Sequence, residues 1–377
     1  MNLKGLIKKA KEGPTPGSGA ASEAAKQTTS AGAGSASPET VSATLRNSQD
    51  LPCLDVQANC IANLGGGSTY QSGQQGLEQS VWLLEDFLPE ALALQISCLL
   101  RDSHRNDFLQ LRGKRTAKFG GDPGPPFQQE PLPNWLQELC EVVGRAIGHL
   151  PLSRSESDNS AEDAGPHCLP NHVLVNQYRP GEGIMPHTDG PSYNPWAAIV
   201  SLDGAAVFDF WRDHAHAASG RAPALSLLVP PRSLLVFSGQ AYAGHLHGIS
   251  DRRTDEVDKD VRNWSSLAQR WRDQGIGSVP LWAREQLQVA WSELGGEEAD
   301  REEETDRDMD KDNSSLAVTC DCSIEEGSIP VACLRRADRI SLTLRRVPPP
   351  PPARSPSPTS ALRGSDAAAA PNPSPAA

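Results

Sequence analysis

Two hydrophobic periodicities follow one another along this chain. In residues 81–100, VWLLEDFLPEALALQISCLL, the side chains of Trp82, Leu83 and Leu84 suit a short strand. Residues 88–100 then carry apolar side chains at helical spacing, with Pro89 tolerated in a first helical turn. Residues 134–147 predict a second helix, burying Trp135, Leu136, Leu139, Val142 and Val143 on one side. From Val173 the pattern changes to short β runs broken by Gly and Pro: VLVNQY, AAIVSL, AVFDFW, ALSLLV and SLLVFSG. After a long polar gap it returns as RISLTLRRV at Arg339. No helices intervene between these strands, so a sandwich or jelly roll is expected rather than a parallel sheet. The expected fold class is α+β: a double-stranded β-helix (jelly roll) core with N-terminal buttressing helices.

Composition limits how much of the chain folds. Gly and Pro number 32 each and aromatics make up only 5% of the 377 residues. Ordering a backbone costs about 1–2 kcal/mol per residue, which so little apolar surface does not offset everywhere. Residues 1–76 are expected to be a disordered tail, the Gly65-Gly66-Gly67 run included, and residues 349–377 a Pro/Ser/Ala-rich disordered tail. Between them lies a folded domain, 77–348, with its core in 172–250 plus 331–348 and a polar, acidic insertion at about 251–330. That insertion holds a helical stretch, LWAREQLQVAWSEL, and the acidic run 297–312.

Net charge is −12, which taken alone argues against an anionic partner. The acid is concentrated in the solvated run 297–312, however, so net charge does not decide the partner. No apolar run approaches the roughly 20 residues that span a bilayer, and no membrane role is expected. Eight scattered cysteines without an export signal point to a reducing compartment, the cytoplasm and/or nucleus. Cys320 and Cys322 read as loop. The acid-poor N-terminus, faintly amphipathic through Leu3, Leu6, Ile7 and Ala10, keeps organelle targeting as an alternative.

The chemistry concentrates in YRPGEGIMPHTDG. His187 and Asp189 are two apart, so on an extended segment both side chains leave one face and meet one metal ion. A second imidazole would complete a two-His-one-carboxylate triad, which leaves positions open on ferrous iron for 2-oxoglutarate and O2. An isolated H-x-D is weak, so context has to carry the reading. The candidates for the second imidazole are His245 and His247 in GHLHGIS; His214 and His216 sit in a polar connection and read as solvent-exposed. In RISLTLR, Arg339, Ser341, Thr343 and Arg345 share one face of a strand. Two inward arginines demand anions, and a dicarboxylate matches a guanidinium fork to fork; an edge strand with its Arg face in water is the alternative. Asn176 and Tyr178 share a face with Leu174 and are suited to hydrogen-bonding carboxylates, or else are satisfied core residues.

Together, N-x-Y, H-x-D, a distal His and R-x5-R resemble the AlkB family of Fe(II)/2-oxoglutarate dioxygenases. NHVLVNQYRPGEGIMPHTDGPSY, LHGI and RISLTLRRVP are most like the branch called AlkB homologue 6. The resemblance covers roughly residues 80–250 plus 331–348. It implies that His187, Asp189 and His247 bind Fe(II), with His247 preferred over His245 because the family pattern is H-G-I. It implies that Arg339 holds the distal carboxylate of 2-oxoglutarate, that Asn176 and Tyr178 complete that pocket, and that Arg345 lies on its substrate side. Ser341 stands where many relatives have Asn. Gly190 and Pro191 follow Asp189, so an acidic residue found there in some nucleobase-repairing relatives is absent.

The implied reaction couples decarboxylation of 2-oxoglutarate, with O2, to hydroxylation of a substrate C–H bond; on an N-methyl group this ends in release of formaldehyde. The expected substrate is alkylated nucleic acid, single-stranded or with its base flipped out. Tyr193, Trp196 and Trp211 are candidate stacking surfaces or else core or rim packing, and the basic segment 112–118, RGKRTAK, either touches phosphates or is a solvated loop. A protein or small-molecule substrate, or a pocket that binds without turnover, are the alternatives.

Overall fold

Alternating burial along the strands builds two facing sheets. The structure is a computed structural model and describes residues 36–48, 50–63, 75–124, 126–152, 169–288 and 331–348. The larger sheet has the spatial order β1 (Val81–Leu84), β9 (Leu234–Ser238), β6 (Trp196–Asp203), β14 (Arg339–Arg345), β4 (His172–Tyr178), β3 (Lys114–Phe119) and β2 (Leu109–Leu111). The smaller has the order β8 (Leu225–Val229), β7 (Ala206–Trp211), β10 (Leu246–Ile249) and β5 (Ile184–His187). Every neighbouring pair in both sheets is antiparallel. This is a jelly roll.

Each sheet is covered on both faces, which is why its strands read as nearly continuous apolar runs. On β14, Ile340, Leu342 and Leu344 pack in one cluster with helices α2 (Glu90–Asp102) and α3 (Asn134–Ile147). Its other face carries Arg339, Ser341, Thr343 and Arg345, all buried, so the strand is central rather than a wetted edge. On β7, Phe208 and Phe210 fill the space between the sheets with Ile199, Leu227 and Phe237, while Val207 faces outward into a separate cluster. Helix α3 places Trp135, Leu136, Leu139, Val142 and Val143 on its buried side at spacings of one to four residues.

The expected tail at 1–76 is corrected over residues 36–48 and 50–63. Helix α1 (Pro38–Asn47) is capped by Ser37, whose Oγ accepts from Thr40 N at 3.2 Å, with Pro38 in the first turn. It buries Val41 and Leu45 completely. Leu54 N donates to Ala146 O at 3.0 Å, tying the segment to α3, and Ile61 is fully buried beyond it. Sparse apolar positions in polar surroundings gave too little local signal; tertiary contact supplies the rest. Residues 1–35 and 64–74, the triple glycine among them, lie outside the described residues.

The expected insertion at 251–330 is corrected over 251–288. A three-stranded sheet, β11 (Thr254–Val257), β13 (Ala332–Arg335) and β12 (Leu287–Gln288), carries helices α5 (Trp264–Gln274) and α6 (Leu281–Gln286). Trp264, Trp271 and Trp282 form edge-to-face contacts at 5.9 and 6.1 Å, and the cluster closes on Val207 and Leu228 behind the smaller sheet. Arg336 Nε and Nη2 each donate to the fully buried Asp255 at 2.6 Å. The helix expected over 281–294 ends at Gln286 because the next two residues join β13. Residues 289–330, with the acidic run, Cys320 and Cys322, lie outside the described residues. Among the described residues no helix is long and apolar enough to cross a membrane.

Leu45→Ala is expected to cost about 2–5 kcal/mol and Trp271→Ala about 3–5 kcal/mol of stability, read from urea midpoints. A Leu45→Ala loss within about 0.5 kcal/mol of zero, as for a surface position, would contradict the packing of residues 36–63.

Candidate metal and cosubstrate site

The pocket between the sheets is built around a cross-strand histidine pair. β5 and β10 run antiparallel with His187 opposite His247, and the register shifts just beyond, between His247 and Ile249. The ring centroids are 4.5 Å apart. Asp189, two residues past the end of β5, completes a group whose ligand atoms all lie within 4.8 Å of one another. His245, in the connection before β10, instead places Nδ1 2.8 Å from Gln240 O. His214 is exposed and His216 half-buried on a short helical turn, away from this cluster.

Protonation and hydrogen bonding suit these three groups to a divalent metal. His187 Nδ1 lies 2.9 Å from Met185 O, so it carries the proton and leaves Nε2 as the lone-pair donor. His247 is pushed down to about 3, chiefly by burial, and is neutral at physiological pH. Phe237 lies 4.8 Å from its ring and Phe208 stacks on it at 5.8 Å, giving an apolar wall. Burial would raise the Asp189 carboxyl, but Arg345 foremost among its positive neighbours holds it below the usual range. Asp189 Oδ1 accepts from Arg345 Nη1 at 2.6 Å, while Oδ2 is buried with no partner among the described residues. A carboxylate oxygen left without a donor, beside two neutral imidazoles, fits a cation.

A second set of groups fits an anion. Arg339 is 3% exposed, and none of the ion pairs among the described residues includes it. Its Nη2 donates to Ser201 Oγ at 2.8 Å, its Nε is buried without a partner among the described residues, and its guanidinium lies 5.8 Å from the Tyr178 ring centroid. Burial pushes it down to about 10. A guanidinium in that position is costly unless a carboxylate joins it. Burial raises Tyr178 to about 12, against the opposing effects of the neighbouring Arg339 charge and Ser341. The strand register sets Asn176 opposite Ser341 and Tyr178 opposite Arg339.

The structure therefore gathers Asn176, Tyr178, Arg339 and Ser341 on one face of adjacent strands, and joins Arg345 to Asp189. Of the two readings open for Trp196 and Trp211, stacking surface or core packing, the structure takes the second: both are buried. Tyr193 is half-buried, with Arg345 4.3 Å from its ring centroid. The segment 112–118 is not a loop: Lys114–Phe119 is strand β3, and Lys114 turns inward while Arg112 and Lys118 are exposed. Two groups escaped the sequence reading. Lys114 had a usable signal, since period two sets Lys114 and Thr116 against Arg115 and Ala117. Tyr242, whose buried hydroxyl has no partner among the described residues and feels the charges of Asp189 and Arg345, had none, lying in the short helix between β9 and β10.

His172 borders the pocket at 5.4 Å from Tyr193 and is pushed down to about 3 by burial, then by Arg345 and Lys118. An unfolded histidine titrates near 6.5, so below about pH 6.5 the unfolded chain takes up a proton the folded one refuses. Stability from this group is thus present above that pH and lost as pH falls, by about 1.4 kcal/mol per pH unit. The margin in urea midpoint of the metal-free chain over His172→Phe is expected to shrink from pH 7 to pH 5; an unchanged margin would contradict the assignment.

The 2OG-Fe(II) oxygenase superfamily matches residues 103–345. The "Probable RNA/DNA demethylase ALKBH6" of Danio rerio is 35% identical over 197 residues, covering 50% of this chain and 76% of that protein. The "tRNA (carboxymethyluridine(34)-5-O)-methyltransferase alkbh8" of Xenopus tropicalis is 26% identical over 181 residues, 46% of this chain but only 26% of its own length. A solved structure, "The structure of OsALKBH1", aligns at 16% identity over 71% of this chain and 98% of that one, with a TM-score of 0.36.

Proposed function

Since this chain belongs to the AlkB family within the 2OG-Fe(II) oxygenase superfamily, and is most like ALKBH6, we propose that it oxidatively demethylates alkylated nucleic acid. It is a 2-oxoglutarate-dependent dioxygenase using Fe(II), 2-oxoglutarate and O2. In our reading His187, Asp189 and His247 hold the iron, and Arg339, Tyr178, Asn176 and Ser341 hold 2-oxoglutarate. Arg345 keeps Asp189 ionised and turned toward the metal. The bound iron supplies the oxidising chemistry, driven by decarboxylation of the cosubstrate to succinate. Phe208 and Phe237 against the His247 ring make the metal side of the site apolar.

The observation that carries the substrate reading is the basic rim. Gly113, at the turn between β2 and β3, accepts from Gly183 N at 3.1 Å, which sets exposed Arg112 beside the chain leading into β5. Exposed Lys118 approaches His172 from the same strand that carries Lys114 inward. Phosphates on this rim would bring a flipped base toward Tyr193. The Danio rerio relative is named as an RNA/DNA demethylase, which supports the same class. The proposed location is the cytoplasm and/or nucleus, on the scattered cysteines without an export signal, with organelle targeting as the alternative.

The intact chain with Fe(II), ascorbate and O2 is expected to form succinate. His187→Ala should abolish this, and Arg339→Ala should raise the KM for 2-oxoglutarate about 10- to 150-fold, as for loss of a charged hydrogen bond. Single-stranded oligonucleotides carrying N-methylated bases should release formaldehyde, with binding that weakens as salt rises. Neutralising Arg112 and Lys118 should reduce the slope of log K against log salt by about 0.7 per lost phosphate contact. Turnover with salt-independent or absent oligonucleotide binding would transfer the chemistry to a protein or small-molecule substrate.

A further inference from the structure

Asn176 differs from its pocket neighbours in that its chemistry depends on which way its side chain is turned. One end of an amide accepts hydrogen bonds and the other donates them. A carboxylate in the pocket needs the donating end. Lys114 Nζ donates to Asn176 Oδ1 at 2.8 Å, and Thr116 Oγ1 reaches the same oxygen at 3.1 Å. An ammonium has only donors, so the amide oxygen and not the nitrogen must face Lys114. The nitrogen is thereby turned away from Lys114, and it donates to no protein acceptor among the described residues.

The sheet enforces this arrangement. Thr116 on β3 lies opposite Asn176 on β4, which in turn lies opposite Ser341 on β14. Lys114 and Thr116 therefore flank the same amide from the neighbouring strand. Lys114 is 9% exposed, and none of the ion pairs among the described residues includes it. A buried ammonium without its own carboxylate is costly, and a bound anion would offset that cost. Burial also pushes Lys114 down to about 8, with Arg345 acting in the same direction and Asp189 against it.

We propose that Lys114 is a positioning residue for 2-oxoglutarate, locking the Asn176 amide with its nitrogen toward a cosubstrate carboxylate and making that end of the pocket selective for anions. Lys114 acts through Asn176. The proposal rests on the family's cosubstrate and is independent of the nucleic-acid reading.

The test is an oxygen-free calorimetric titration of 2-oxoglutarate into the Mn(II)-loaded full chain and its variants, with Mn(II) affinity measured separately. Lys114→Met should weaken 2-oxoglutarate about 10- to 150-fold, as loss of a hydrogen bond to a charged group does, and leave Mn(II) affinity unchanged. Lys114→Arg should restore most of the binding, because a guanidinium also offers only donors. Asn176→Asp should stay folded, its carboxylate pairing with Lys114, yet lose 2-oxoglutarate through repulsion between carboxylates. Unaltered 2-oxoglutarate affinity in Lys114→Met, or Lys114→Arg as weak as Lys114→Met, would overturn the proposal. So would parallel loss of Mn(II) and 2-oxoglutarate binding in Lys114→Met, which would make Lys114 a packing residue. Absence of 2-oxoglutarate binding by the intact chain would contradict the cosubstrate assignment as well.

Discussion

The buried ion pair between Arg345 and Asp189, at 2.6 Å, sets the terms for everything else in the pocket. It holds a carboxylate ionised in an apolar interior, where burial alone would protonate it. Only one of the two carboxylate oxygens is engaged by the arginine, so the other remains available to a metal beside His187 and His247. The same strand that supplies Arg345 supplies Arg339, six residues earlier and on the same face. Arg345 has its carboxylate; among the described residues Arg339 and Lys114 have none. The pocket is thus cationic on the larger sheet, and a dicarboxylate chelating the metal would balance it.

Both sheets contribute because neither alone brings metal and anion together. The smaller sheet presents the histidines through the direct pairing of β5 with β10. The larger sheet presents Asn176, Tyr178, Arg339 and Ser341 through the pairing of β4 with β14. The spacing between them is fixed by Phe208, Phe210 and Phe237, which fill the interior and also surround His247. Behind the smaller sheet, the tryptophan cluster of α5 and α6 covers Val207 and Leu228. Arg336 links that module back to the jelly roll, donating both to Asp255 and to Ser250 O, just past β10.

The strands and the meeting of His187 with Asp189 were legible because their signals are local. Period two put Arg339 and Arg345 on one face, and the two-residue spacing of His187 and Asp189 survives a short strand end. The choice of His247 over His245 came from the family resemblance; pairing opposite His187 gives it a physical basis. Elsewhere the deciding contacts are distant in sequence. Val41 and Leu45 are ordinary apolar residues in a polar stretch until α3 covers them. Trp264 and Trp271 lie in a polar helix whose partners, Ala332 and Leu334, come from the far side of residues 289–330. Lys114 was read as surface charge because basic residues usually are; its burial depends on Asn176, 62 positions away.

The most direct test of the account is an oxygen-free titration of 2-oxoglutarate into the Fe(II)-loaded chain, followed by the visible charge-transfer absorption that a 2-oxo acid produces when it chelates ferrous iron. The account predicts a saturable band in the intact protein, absent in Asp189→Ala and shifted to much higher 2-oxoglutarate concentration in Arg339→Ala. Iron-loaded intact protein that develops no such band, or an Arg339→Ala band that saturates at the same concentration as the intact one, would contradict it.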